Sequence, residues 1–288
     1  MLTYKKELLD NIDKYAEIYL NGASYAKITE LIGGSSTRAI GWVSKTLKEY
    51  GIEKRSASDQ NRNRFGYTLN KDAFDTDFSD ESSSYFLGFI LADGSLSMDR
   101  LSVTIKQEDG YILKKLQEFL GMNYGYRESS VFDKRTLKRY YRATLGLKDA
   151  KIISDLNAQN IFKNKSAEEK LPNIDWRSNR HFWRGVVDGD GHVKALNGAP
   201  AVLVLVGSEE IVNGFIEFAD INVGFITKRP AVPVKHKNKI LYHVQITGDD
   251  ARNIAKFLYK DSSIRLERKY NKTLCKEEED ASNSNSAD

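Results

Sequence analysis

YFLGFILADGSL runs from Tyr85 to Leu96, and FWRGVVDGDGHV runs from Phe182 to Val193. Each is a short run that ends in an acid followed by a glycine. Gly88 and Ala92 stand four positions apart in the first, as Gly185 and Gly189 do in the second, so in a helix each pair shares one face. A face of small residues lets two backbones approach closely. Gly88 and Gly185 are therefore read as helix-packing positions. If the two helices pack on each other, their C-terminal ends meet and Asp93 and Asp190 lie side by side.

Outward from these stretches the chain repeats itself. LSVTI (101–105) and AVLVLV (201–206) read as strands. Ile112, Leu116 and Phe119 then mark an amphipathic helix, matched by Ile211, Phe215 and Phe218. YRATLGLKDAKIISDL (141–156) corresponds to YHVQITGDDARNIAKFL (242–258), and equivalent points lie about 97–101 residues apart. The order is helix, strands, helix, strands, helix, twice over. It predicts an α+β fold of two pseudo-symmetric αββαββα halves, 81–172 and 173–275, joined as a pseudo-dimer within one chain.

Residues 1–52 read as a small all-α domain. Ile12, Tyr15, Ala16, Tyr19 and Leu20 recur at helical spacing up to Gly22, and Ser24 can cap a second helix carrying Ile28 and Ile32. Gly33 and Gly34 break that helix. Ser35, Ser36 or Thr37 can cap a third, with Ile40, Val43 and Leu47 inward and Arg38, Lys45 and Lys48 outward. A capped helix after a glycine turn is the helix-turn-helix pattern, and a plain helical packing module shares it. Residues 53–80 form a polar connector. Its Lys54, Arg55, Arg62 and Arg64 can follow a phosphate backbone or serve as a solvated linker.

The formal charge is +4, but residues 277–288 (EEEDASNSNSAD) contribute five acids and no base, so residues 1–276 carry +9. A body that basic suits a polyanionic partner. The tail reads as disordered. One cysteine, Cys275, allows no internal disulfide, and four scattered histidines do not suggest a structural zinc site. No apolar run is long enough for a transmembrane helix, and the N-terminus lacks a secretion signal, so a soluble cytoplasmic protein is expected.

Two carboxylates brought together repel, and both would stand at helix C-termini, where the backbone dipole disfavours anions. A divalent cation relieves both penalties. Mg²⁺ takes oxygen ligands and commonly binds through one or two carboxylates plus substrate phosphates. The backbone carbonyls of Ala92 and Gly189 are candidates to assist Asp93 and Asp190.

FLGFILADG and WRGVVDGDG resemble the paired signature helices of LAGLIDADG homing endonucleases, and the resemblance spans about 81–275. It implies two antiparallel, saddle-shaped sheets over the DNA major groove. It also implies hydrolysis of both strands at a long, imperfectly palindromic site by a monomer, with Mg²⁺, or Mn²⁺ in its place, between the acids and the phosphates. Carried over by motif position, Asp93 and Asp190 are the metal-binding catalytic acids. Asp188 fills the earlier acid position in the second copy, where the first has Leu91, and is assigned a structural or accessory role. Gln107 matches a solvent-positioning glutamine; its counterpart falls near Gly207, with Ser208 a weak substitute. Lys165 and Lys269, or Arg268 in place of the latter, match basic residues that stabilise phosphate charge or perturb the attacking water.

Base and phosphate contacts are expected from Lys106, Arg127, Lys134, Arg135, Lys138, Arg139 and Arg142 in the first half. In the second half they are expected from Lys228, Arg229, Lys235, Lys237 and Lys239. A non-catalytic DNA-binding regulator on the same scaffold, and an intron RNA maturase, remain alternatives.

Overall fold

The computed structural model describes residues 3–20, 23–54, 69–97, 100–162, 168–194, 201–224, 231–236 and 239–273. Arg55, Arg62, Arg64, Lys165, Lys228, Arg229, Lys237 and the acidic tail lie outside them. The chain divides into two compact units, residues 1–69 and 70–288.

Among its described residues the first unit holds four helices: α1 (Thr3–Asp10), α2 (Ile12–Leu20), α3 (Tyr25–Leu31) and α4 (Thr37–Glu49). Three were expected from periodicity. The fourth, α1, is set off where Asn11 turns its side-chain amide back onto the Glu7 carbonyl at 3.2 Å. Ser24 and Ser36 cap α3 and α4 by accepting from the backbone N–H groups of Lys27 and Ala39. Leu8, Tyr15, Tyr19, Ile28, Val43 and Leu47 fill the core, whereas Leu20 points to solvent.

The second unit contains the expected repeat. Helix α5 (Glu81–Asp93) leads into β1 (Gly94–Leu96) and β2 (Leu101–Lys106). Then come α6 (Gly110–Phe119), β3 (Tyr126–Asp133), β4 (Lys138–Leu147) and α7 (Ala150–Ala158). The second half follows with α8 (Arg180–Asp190), β5 (Gly191–Lys194), β6 (Val202–Gly207) and α9 (Glu209–Asn222). After them come β7 (Val232–His236), β8 (Lys239–Thr247), α10 (Gly248–Tyr259) and a last turn of helix, α11 (Glu267–Tyr270). Each half forms a four-stranded antiparallel sheet in the same order, β1-β2-β4-β3 and β5-β6-β8-β7. Residues 70–80, read from the sequence as connector, bury Ala73, Phe74 and Phe78 in this unit. Phe74 meets Phe119 edge-on at 5.7 Å.

Strand alternation sorts each sheet into a buried face and an open one. In the first sheet Leu101, Val103, Ala143, Leu145 and Leu147 are all buried. The pairs Lys106↔Arg142 and Ser129↔Arg142 put those three residues on the opposite, open face. In the second, Val193, Leu203, Leu205, Val244 and Ile246 are buried. No helix among the described residues is long and apolar enough to cross a membrane.

Candidate functional site

Helices α5 and α8 cross with almost nothing between them. A Cβ built on Gly88 would lie 2.1 Å from the Phe182 carbonyl oxygen, and one on Gly185 would lie 2.1 Å from the Tyr85 carbonyl oxygen. The two contacts are thus related by the pseudo-symmetry, and any side chain at either glycine would force the backbones apart. Nearer the C-termini, a Cβ on Gly189 would lie 2.3 Å from that of Ala92 and 3.4 Å from Oδ2 of Asp93. The Asp93 carboxylate therefore rests against the residue that precedes Asp190.

The glycine after each acid has its own cause. Both helices pass directly into a strand, with Gly94 and Gly191 in extended conformation and their N–H groups bonded to the Ile90 and Val187 carbonyls. A Cβ at either would sit 2.4 or 2.5 Å from those same oxygens. Asp93 is half-buried and Asp190 exposed, so the paired ends open to solvent.

Behind this opening stands Lys269, 3 % exposed. Its Nζ donates to the carbonyls of Val187, Asp188 and Gly191 at 2.7, 2.7 and 2.6 Å. All three ammonium hydrogens are committed to carbonyls at the end of α8 and the start of β5. Burial pushes this lysine down to about 8, opposed by the carboxylates of Asp188, Asp93 and Asp190. Its reach to both signature acids marks one electrostatic cluster. Arg268, the alternative basic residue, instead pairs with Asp109 at 2.8 Å.

Asp188 is fully buried and accepts from the Tyr85 hydroxyl at 2.8 Å, the Tyr259 hydroxyl at 2.5 Å and the Leu266 N–H at 2.8 Å. Burial raises its carboxyl above the usual range while these donors pull it down. Both tyrosines are held well above their ordinary value, by burial first and by the Asp188 charge second. Sequence periodicity missed Arg184, which is also fully buried. It donates to Glu81 Oε1 at 2.5 Å and to the carbonyls of Ile264 and Leu258 at 2.9 and 3.1 Å, and its guanidinium lies over the Tyr85 ring. Glu81 also accepts from the Ser263 hydroxyl and from the N–H groups of Ser263 and Ile264; burial pushes its carboxyl up, but these bonds and the Arg184 charge together hold it below the usual range. The one signal for Arg184 in the sequence is a charge inside an otherwise apolar helix face.

The remaining candidates separate by strand register. Lys106, Arg127, Lys138 and Arg142 share the open face of the first sheet. Arg139 falls on the other face, with its guanidinium on Ser130 Oγ at 2.9 Å, and Arg135 sits in the hairpin turn paired with Asp133. Lys235 pairs with Ile240 and falls on the face opposite the open one. Gln107 opens a 3-10 turn and bonds Glu128. Ser208 caps α9 and donates to the Glu169 carbonyl, so it does not serve as Gln107's counterpart. In the first unit, Arg38 and Lys45 are exposed, Lys45 lying 3.7 Å from Glu49, and Lys54 is exposed too.

No protein-family model and no curated protein matches the chain. Among solved structures, it is similar to the homing endonuclease I-WcaI bound to its DNA recognition sequence. That match has 12 % identity and a TM-score of 0.48, covering 79 % of this chain and 97 % of that one. It is also similar to the N-terminal LAGLIDADG domain of DUF199/WhiA, at 13 % identity and a TM-score of 0.38, covering 77 % of this chain and 98 % of that one.

Proposed function

We propose that the protein is a site-specific, metal-dependent DNA endonuclease whose two strand-cutting centres lie at the paired ends of α5 and α8. The observation that carries this reading is the glycine-lined crossing, which presses the Asp93 carboxylate against the residue before Asp190. Two hard oxygen donors at negatively polarised helix ends, open to solvent, fit Mg²⁺ or Mn²⁺ shared with substrate phosphates. Asp93 and Asp190 would hold the metal, with the carbonyls of Ala92 and Gly189 beside them. When bound, it supplies Lewis acidity and charge neutralisation at the scissile phosphate.

The chain's own residues do the rest. Lys269 fixes the end of α8 so that Asp190 faces outward. Asp188, held by two tyrosines and a backbone N–H, keeps that helix in register with α5. Lys106, Arg127, Lys138 and Arg142 give the first sheet an open face suited to phosphates and to guanine edges. Arg38, Lys45 and Lys54 would add sequence-independent contacts from the helical unit.

A second reading has a specific observation behind it. The Lys269 ammonium already lies within electrostatic reach of both acids. It can partly compensate them without a metal, leaving a protein that binds DNA and does not cut it. Incubation with a randomised duplex library, with Mg²⁺ or with EDTA, separates the two. Cleavage of both strands in Mg²⁺ alone is expected, and Asp93→Asn or Asp190→Asn should reduce it by at least about a thousandfold while leaving binding within severalfold. Retained binding with no cutting by the unaltered protein would favour the regulator.

A further inference from the structure

The open faces of the two sheets occupy equivalent places in the repeat but differ in chemistry. On the first, the residues in register are Lys106, Arg127, Lys138 and Arg142 among serines and threonines, with Val131, Asp133 and Tyr140 toward the hairpin end. On the second, the same register brings up Val202, Val204, Val206, Leu241, Val232 and Val234. Three of these are well exposed, Val206 at 37 %, Val234 at 43 % and Val232 at 46 %. Lys194 and Lys239 stand at the ends of this face, His192, His243, Gln245 and Thr247 lie within it, and none of its described strand residues is acidic. An exposed, valine-rich surface with cations at its ends marks a contact site.

We infer that the open face of β5–β8 reads an A·T-rich half-site through thymine methyl groups. The inference rests on the DNA-binding reading above and adds to it the base composition of one half of the target. Among major-groove base edges, thymine alone offers an apolar group, its C5-methyl, and glutamine pairs in bidentate fashion with adenine N6 and N7. Gln245 and Val204, paired opposite it, therefore match the two halves of one base pair. The lysines at the ends of the face complement the phosphates on either side, which an apolar protein partner would not need. The first sheet, carrying arginines that pair with guanine O6 and N7, is matched to the other half-site. A target read by both sheets is thus asymmetric in composition, G·C-richer under β1–β4 and T-rich under β5–β8.

The test uses the full chain in EDTA with duplexes selected for binding from a randomised library. Thymines in each half-site are then replaced by deoxyuridine, which removes only the methyl group. Affinity should fall about three- to fourfold per contacted methyl in one half-site and stay constant in the other. Val206→Ala combined with Val234→Ala should erase that penalty while leaving affinity for the deoxyuridine duplex unchanged. Binding that is indifferent to deoxyuridine in both halves overturns the inference and leaves the DNA-binding reading standing. So does an alanine pair that alters self-association of the chain but not the deoxyuridine penalty. Failure to retain any duplex sinks both readings.

Discussion

The two signature helices cross as equals and are buttressed as opposites. At the crossing every contact has its mate: Gly88 on Phe182, Gly185 on Tyr85, and a glycine after each terminal acid tucked against its own helix. Away from the crossing, α5 presents Leu87 and Leu91 to the interior, both buried. At the equivalent places α8 presents Arg184 and Asp188, also buried, each satisfied by partners from α5 and from residues 258–266. Symmetry is retained where two backbones touch, because no other residue fits there. It is lost where side chains only need a filled and satisfied interior, which leucines or a closed polar network supply equally well.

This contrast can be broken in several ways. The largest effect is expected at the crossing itself. Gly88→Ala and Gly185→Ala should each cost about 3 kcal/mol or more in urea unfolding, at the upper end of overpacking penalties, and by similar amounts. A large loss at one glycine with little at the other would show that the crossing is not symmetric. Gly41→Ala, where a methyl meets nothing within 4 Å, should be neutral or mildly stabilising and serves as control.

Next comes the polar buttress. Asp188→Leu converts α8 toward the α5 pattern but strands two buried hydroxyls and the Leu266 N–H. It should cost about 2–4 kcal/mol. Adding Tyr85→Phe and Tyr259→Phe should recover the part of that loss due to the two hydroxyls, leaving only the Leu266 N–H unpaired. If the triple variant is less stable than Asp188→Leu alone, the network does more than satisfy itself.

Lys269 sharpens the comparison through pH. Folded, it releases its proton near 8; unfolded, it keeps that proton to the ordinary 10.5. Between those values the unfolded chain binds more protons, so the Lys269 contribution to stability rises with pH, by at most about 1.4 kcal/mol per unit. The stability of the unaltered protein minus that of Lys269→Met should therefore climb from pH 8 upward and stay flat below it. A flat difference throughout would remove the buried ammonium from the account.

The smallest effect is in the salt dependence of DNA binding. Lys106→Ala or Arg142→Ala should each lower the slope of log K against log salt by about one, and Arg139→Ala, on the other face, should leave it alone. An equal change for all three would erase the distinction between the faces.

Much of this was legible in the residues themselves. The recurrence of a small-residue face and an acid-glycine ending at a fixed offset announces two packed helices, since helical geometry alone puts Gly88 with Ala92 and Gly185 with Gly189. The strand and helix order of each half followed from local periodicity. What stayed hidden depends on distant partners or on register. KRTLKRYYR does not say which arginines share a face until Arg142 is paired with Lys106, and KHKNK carries Lys235 to the face opposite the open one. Nothing near Lys269 reveals that its ammonium is buried among carbonyls some eighty residues earlier in the chain. Arg184 is equally opaque, because its satisfaction comes from Glu81, Leu258 and Ile264.

The reach of Glu81 to Ser263 and Ile264 has a consequence for how the protein comes into being. The first helix of the α/β unit collects its hydrogen bonds from residues made more than 180 positions later. While the chain is still emerging from the ribosome, that carboxylate and the Tyr85 hydroxyl beside it wait for partners from the second half. Although the halves look like two copies of one small protein, each leaves buried polar groups that only the other satisfies.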